Sequence, residues 1–229
     1  MAAPVDPLPR TTLIRLGRFL VVVAFLIFAS AGTIEFWQGW AYFFALAVPT
    51  TALTVYFLKH DPKLIARRQK AGPAAEKERT QQIIQALLSV LMLLLIIIPG
   101  LDHRFGWSNV PSALVIVSNV LVADGFLVIF FVFKENSFAS ATIEISEQQR
   151  VISTGLYGLV RHPMYAGGLL LFLFTPLALG SFWGLLLSIP LIALIVWRLL
   201  DEEKFLLRNL PGYADYCEAV RHHLVPWIW

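Results

Sequence analysis

From Met164 to Leu200 the chain is apolar but interrupted by Gly180-Ser181. A helix crosses a bilayer with roughly 20 apolar residues, so this run is too long for one crossing. It predicts a tight helical hairpin whose first arm, about Pro163 to Leu179, is short for a full span. A polar island flanks the run on each side. Before it stands Tyr157-Gly-Leu-Val-Arg161-His162-Pro163-Met164-Tyr165, and towards its end Arg198-Leu-Leu-Asp201-Glu202-Glu203. Ionisable groups this close to membrane depth are costly unless they line a cavity or meet a partner. Two such islands, separated by one hairpin, predict a polar pocket at the edge of the membrane.

The rest of the chain fits that setting. Of 229 residues, 58% are hydrophobic and 14% charged, whereas a soluble domain is nearer half apolar and about a quarter charged. Four further apolar stretches precede the hairpin, at about Phe19 to Ile34, Phe36 to Leu58, Ile83 to Leu101 and Val110 to Phe133. Leu13 to Leu16 are able to extend the first. Polar residues from Lys59 to Gln82 read as a loop or surface helix, and Asp201 to Trp229 as an amphipathic tail. The expected fold is all-α, a polytopic transmembrane bundle of five to six membrane segments with a C-terminal hairpin. Residues 1–133 form its four-span part and 134–229 the part bearing the polar islands, within one compact domain.

All Lys and Arg residues except Arg104 fall on one side of this topology. By the excess of basic residues in cytoplasmic loops, the N-terminus and both islands face the cytoplasm. The first apolar stretch is long and lacks a small-residue cleavage site before a soluble domain, so it does not read as a cleavable signal. No retrieval or lipidation motif is recognisable; the bacterial inner membrane is the expected location, and an endoplasmic reticulum fits the same features. Cys217 is the only cysteine, which excludes an intrachain disulfide. The histidines show no metal-ligand spacing with acids or cysteine, so no metal is expected. The net charge of +3 gives no reason to expect nucleic acid.

Several residues carry chemistry at these spacings. Pro163 suits the first turn of a helix, and a helix N-terminus there favours an anion such as a carboxylate. The plain alternative is a capped helix with an interfacial arginine and tyrosine. Arg161 is placed to pair with phosphate near the surface. Arg198 and Glu202, four apart, share a helix face, with Glu203 about 100° further round. Such a face is able to hold a zwitterion, with carboxylates on ammonium or ribose hydroxyls and the guanidinium on a carboxylate or phosphate. The alternative is a snorkelling arginine followed by a solvated acidic turn. Tyr213, Tyr216 and Pro226-Trp227-Ile-Trp229 read as an interfacial helix anchored by aromatics, which would also roof a pocket. A dinucleotide fingerprint, a Walker loop and a nucleophile elbow are all missing.

Gly155-Leu-Tyr157, Arg161-His162-Pro163-Met164-Tyr165, Arg198, Glu202-Glu203, Tyr213, Tyr216 and Pro226, in this order, resemble the isoprenylcysteine carboxyl methyltransferase family and its wider phospholipid-methyltransferase-like relatives. The resemblance covers about Asn136 to Trp229; the first four segments match only as generic membrane helices. Gln149-Arg150-Val151-Ile152 stands where family members often have His-x-Leu-Val before the Gly-x-Tyr. The resemblance implies S-adenosylmethionine as methyl donor, bound without a Rossmann domain. It implies cofactor contacts at Gln149, Arg150, Val151, Ile152, Tyr157, His162, Pro163, Met164, Tyr165, Glu202 and Glu203. Arg198 matches the position that faces the methyl acceptor. Arg198 and Glu202 are thus the expected catalytic residues, and Arg198 with Arg161 the expected acceptor-binding ones.

The expected partners are membrane lipids and a lipidic or prenylated acceptor, an isoprenylcysteine-like carboxylate being one candidate. Oxygen, nitrogen and sulfur all stay open as the attacking atom. A carboxylate acceptor is already ionised at neutral pH; an amine would have to shed a proton, with Glu202 or Glu203 to take it. Two other readings compete: an NADPH-dependent membrane reductase of the steroid or enone type, whose C-terminal helices look similar, and a non-catalytic lipid-binding protein.

Overall fold

A computed structural model describes residues 7–145 and 149–229. Among them are eight α-helices and no strand: α1 Pro7–Ala31, α2 Trp37–His60, α3 Pro62–Arg68, α4 Arg79–Phe105, α5 Ser112–Glu135, α6 Pro163–Ala178, α7 Leu185–Asn209 and α8 Tyr213–Ala219. Four are long and apolar enough to cross a membrane: Leu8–Ala31 within α1, and α2, α4 and α5. Helix α6, of 16 residues, is the short first arm of the hairpin. Helix α7 is apolar as far as Trp197 and then carries the charged Arg198 to Lys204 stretch. Phe25, Val48 and Ile116 stand exposed on the outer faces of α1, α2 and α5, as residues facing lipid do.

The helix boundaries follow local chemistry. Asp61 caps α3, its Oδ1 accepting from Leu64 N–H at 3.0 Å, and Pro62 occupies the first turn, where a missing N–H costs nothing. Pro163 opens α6 in the same way. The hairpin turns at Gly180, whose φ of +77° is accessible to glycine at little cost. Helix α1 departs from expectation, beginning at Pro7 rather than near Phe19, so that Arg10, Arg15 and Arg18 lie within it. Long cationic side chains reach the interface from inside a helix. Arg15 does so by donating to Gln69 Oε1 at 2.9 Å, while Gln69 Nε2 reaches Thr12 Oγ1 at 2.5 Å.

Close packing joins α5 to α6. A Cβ on Gly125 would lie 2.8 Å from the Gly167 carbonyl oxygen, and one on Gly167 would lie 3.0 Å from that of Gly125. Small residues let membrane helices approach this closely when hydrophobic burial drives association little. The segments 61–78, 136–145, 149–162 and 210–229 gather at one end of the bundle, and the turns at 32–36, 106–111 and 179–184 at the other.

Candidate functional site

At the loop end, two cavities share a wall. The first is lined by Gln149, Arg150, Val151 and Ile152 of the α5–α6 segment and by Tyr157 of the 3-10 turn Gly155–Gly158. His162, Pro163, Met164 and Tyr165 at the start of α6 and Glu202 of α7 complete that wall, and Tyr213 and Tyr216 of α8 close over it. Every cofactor residue expected from the sequence except Glu203 therefore faces one space. The second cavity, of about 290 Å³, opens between α4, α5, α6 and α7. Its apolar side carries Leu88, Met92, Ile129, Leu171, Phe172 and Ile195, its polar end Arg68, Arg198 and Glu202. Ser140, Thr142, Met164, Tyr165 and Glu202 line both.

The Arg-His-Pro stretch is held by the tail. Arg161 and His162 N–H donate to the carbonyls of His222 and His223, each at 2.9 Å. The Arg161 guanidinium gives Nη1 to the carbonyls of Val220 (3.1 Å) and Cys217 (3.4 Å), places Nε 2.5 Å from Glu203 Oε1, and sets Nη2 against His223. This satisfies carbonyls that the end of α8 leaves without helical partners. Arg161 thus borders the first cavity with its nitrogens already engaged. Glu203, expected at the cofactor, lines neither cavity. One residue round the helix from Glu202, it turns to Arg161, to His162 Nε2 at 3.4 Å and to His223 Nε2 at 3.0 Å. Burial outweighs the Glu203 carboxylate and, with Arg161 adding to it, holds His223 below the ordinary imidazole value.

The polar groups facing the first cavity are differently placed. Tyr165 donates its hydroxyl to Glu202 Oε2 at 2.5 Å. Asn136 Nδ2 donates to Tyr157 Oη at 2.9 Å, and burial pushes the Tyr157 phenol up to about 12, so it keeps its own proton to give. Tyr216 donates to the Tyr157 carbonyl at 2.7 Å. The buried Tyr213 hydroxyl has no hydrogen-bond partner among the described residues, an arrangement that costs free energy unless something else meets it.

Arg198 lies 6% exposed at the second cavity, but its guanidinium is not left open for a ligand. Nη2 pairs with Glu76 Oε1 at 2.7 Å and reaches the Ala141 carbonyl at 3.0 Å, while Nη1 donates to Gln81 Oε1 at 2.6 Å. Gln81 in turn reaches Asp201 Oδ2 at 2.5 Å. The expected Arg198–Glu202 ligand face is therefore divided, with the arginine turned to Glu76 and the carboxylate to Tyr165. Glu76, Gln81 and Arg68 escaped the sequence reading because they lie in or beside a basic loop that reads as topology. The one usable signal was indirect: an arginine near membrane depth needs a counter-ion, and Glu76 is one of three acids, with Asp61 and Glu78, in the polar stretch from Lys59 to Gln82.

Residues 113–211 match the family model described as phospholipid methyltransferase. The match runs from α5 through α7 and contains Arg161 to Tyr165, Arg198 and Glu202, stopping short of Tyr213 and Tyr216. No curated protein matches the chain. Over residues 113–211 the chain is thus similar to the phospholipid methyltransferases.

Proposed function

We propose that the protein transfers a methyl group from S-adenosylmethionine to a lipidic acceptor at the cytoplasmic face of a membrane, with the donor in the first cavity and the acceptor in the second. The observation that carries this reading is the shared wall of Met164, Tyr165 and Glu202 between a polar cavity and an apolar one. A water-soluble donor and a membrane-borne acceptor need to meet in such a place, and bringing them into line is where most of the catalysis lies.

The residues of the first cavity fit the donor. Glu202 offers a carboxylate to a ligand bearing ammonium and ribose hydroxyl groups, and Tyr165 orients that carboxylate. The Tyr213 hydroxyl has a hydrogen bond still to make, and Tyr157 has a proton to donate. Gln149 to Ile152 and His162 to Met164 supply the surrounding wall. When bound, S-adenosylmethionine supplies an electrophilic methyl carbon on a sulfonium: the acceptor's lone pair forms the new bond, and the carbon–sulfur pair leaves with S-adenosylhomocysteine. Arg198, paired with Glu76 and braced by Gln81, holds the polar end of the second cavity rigid. Arg161 and Glu203 act as positioning residues, tying the Arg-His-Pro stretch to the tail that roofs the donor cavity. The basic residues of segment 61–78 and of α1 support a cytoplasmic site.

Calorimetric titration of S-adenosylhomocysteine into detergent-purified protein tests the reading, with NADPH in parallel. Saturable binding of S-adenosylhomocysteine that weakens at least about tenfold in Glu202→Ala, the order of one charge-assisted hydrogen bond, is the expected result. Binding of NADPH alone would move the protein to the reductases.

A further inference from the structure

Resting on the methyltransferase reading of the two cavities, we infer that Arg68 is the acceptor-recognising residue of the second cavity, binding an oxyanion on the head of an amphiphile whose chain lies along the apolar side.

Three buried or half-buried arginines stand around the two cavities, and they differ in their partners. Arg161 has Glu203, and Arg198 has Glu76. Arg68, the last residue of α3, has no carboxylate within ion-pair distance among the described residues. Its Nη1 donates to the Ser140 carbonyl at 3.3 Å and to Met164 Sδ at 3.4 Å, and its guanidinium lies 4.5 Å from the centre of the Phe133 ring. Every one of these partners is neutral. Glu202 lines the same cavity with one carboxylate oxygen accepting from Tyr165, and it stands outside ion-pair distance of Arg68. Burial lowers the Arg68 pKa to about 10, which leaves it fully charged at neutral pH.

A charge removed from water without a counter-charge is expensive. A neutral residue of similar length would fill the same place without that cost. What the guanidinium adds is a planar fork of donors that matches carboxylate and phosphate oxygens. Position supports the same conclusion. Met164, which Arg68 touches, lines both cavities, so an anion held by Arg68 lies at the seam where donor and acceptor spaces meet. From that seam the cavity continues past Leu171 and Phe172 of α6 to Leu88 and Met92 of α4, a wall suited to an acyl or prenyl chain.

The test uses purified full-length protein in a non-ionic detergent and four probes that share one chain: oleate, oleyl phosphate, oleyl alcohol and oleylamine. S-adenosylhomocysteine is titrated in parallel. Wild-type protein should bind oleate or oleyl phosphate at least about tenfold more tightly than the alcohol or amine, the scale of one charge-assisted contact. The tighter of the two oxyanions names the head group. Arg68→Gln should abolish the preference while S-adenosylhomocysteine affinity stays within about threefold, a change smaller than one such contact. Arg68→Lys, which keeps the charge, should retain part of it. Equal binding of all four probes by wild-type protein that still binds S-adenosylhomocysteine would overturn the inference. So would a preference undiminished in Arg68→Gln. If Arg68→Gln loses S-adenosylhomocysteine binding as well, Arg68→Lys decides, and loss of the preference there with S-adenosylhomocysteine binding intact refutes the role. Failure of wild-type protein to bind S-adenosylhomocysteine, with the oxyanion preference present, would instead sink the donor reading.

Discussion

Asp102 and Glu76 are both acids buried between helices, 1% and 4% exposed, at opposite ends of the bundle, and they are used in different ways. Asp102 accepts from Ser108 N–H and Ser108 Oγ, each at 2.6 Å, and from Ser181 Oγ. Ser108 and Ser181 then accept from Phe182 and Gly184 N–H at 3.1 and 3.0 Å. The partners are all neutral and all belong to two tight turns, so the group closes on itself and fastens the α6–α7 hairpin to the end of α4. Glu76 instead neutralises a cation, Arg198, on a cavity wall, and in the same cavity Arg68 has no carboxylate within ion-pair distance among the described residues. A buried carboxylate with neutral donors locks a turn; one with an ionic partner maintains a charged wall.

The largest effect is expected at Glu76. Glu76→Gln leaves Arg198 buried without a counter-charge, and the expected loss is about 3–5 kcal/mol, read as a lower thermal midpoint in detergent. Joint replacement of Glu76 and Arg198 by apolar residues should recover much of it, because the cost lies in the unpaired ion. At the helix contact beneath the site, Gly125→Ala forces a methyl against the Gly167 carbonyl; overpacking of this kind costs about 1–3 kcal/mol, and Ser118→Ala on the same helix serves as the control. At the other end, Ser181→Ala removes one donor from Asp102 and should cost about 1–2 kcal/mol with S-adenosylhomocysteine affinity unchanged. A loss of affinity there would show that the two ends are coupled and that the contrast is false. The smallest effect sharpens it: Tyr213→Phe should leave stability within about 0.5 kcal/mol, since its hydroxyl has no partner to lose, yet weaken donor binding by roughly three- to tenfold.

Much of the architecture was legible because apolar length and breaker residues are local signals. The hairpin, its turn at Gly180 and its start at Pro163 all follow from them, and so do the four long helices. The beginning of α1 was not legible, because arginines that end an apolar run on paper are carried inside the helix and satisfied sideways, as Arg15 is by Gln69. At the site, Arg161 to Tyr165 and Glu202, singled out by their order in the sequence, all line the first cavity. What the sequence withheld was pairing across distance. Arg198 and Glu76 stand 122 residues apart, and only the folded bundle brings them together. Arg161 and Glu203 have residue types that suit ligand binding, and only the path of the tail reveals that they hold one another.

We propose that Glu202 serves a donor cavity opening onto an apolar neighbour. The most direct test is transfer of labelled methyl from S-adenosylmethionine into the organic phase, using protein reconstituted in vesicles of total lipid extract and comparing wild type with Glu202→Ala. The account predicts a labelled lipophilic product from the wild type and a rate at least about a hundredfold lower in the variant, some 2.7 kcal/mol of transition-state stabilisation. Equal labelling by the two proteins would contradict it.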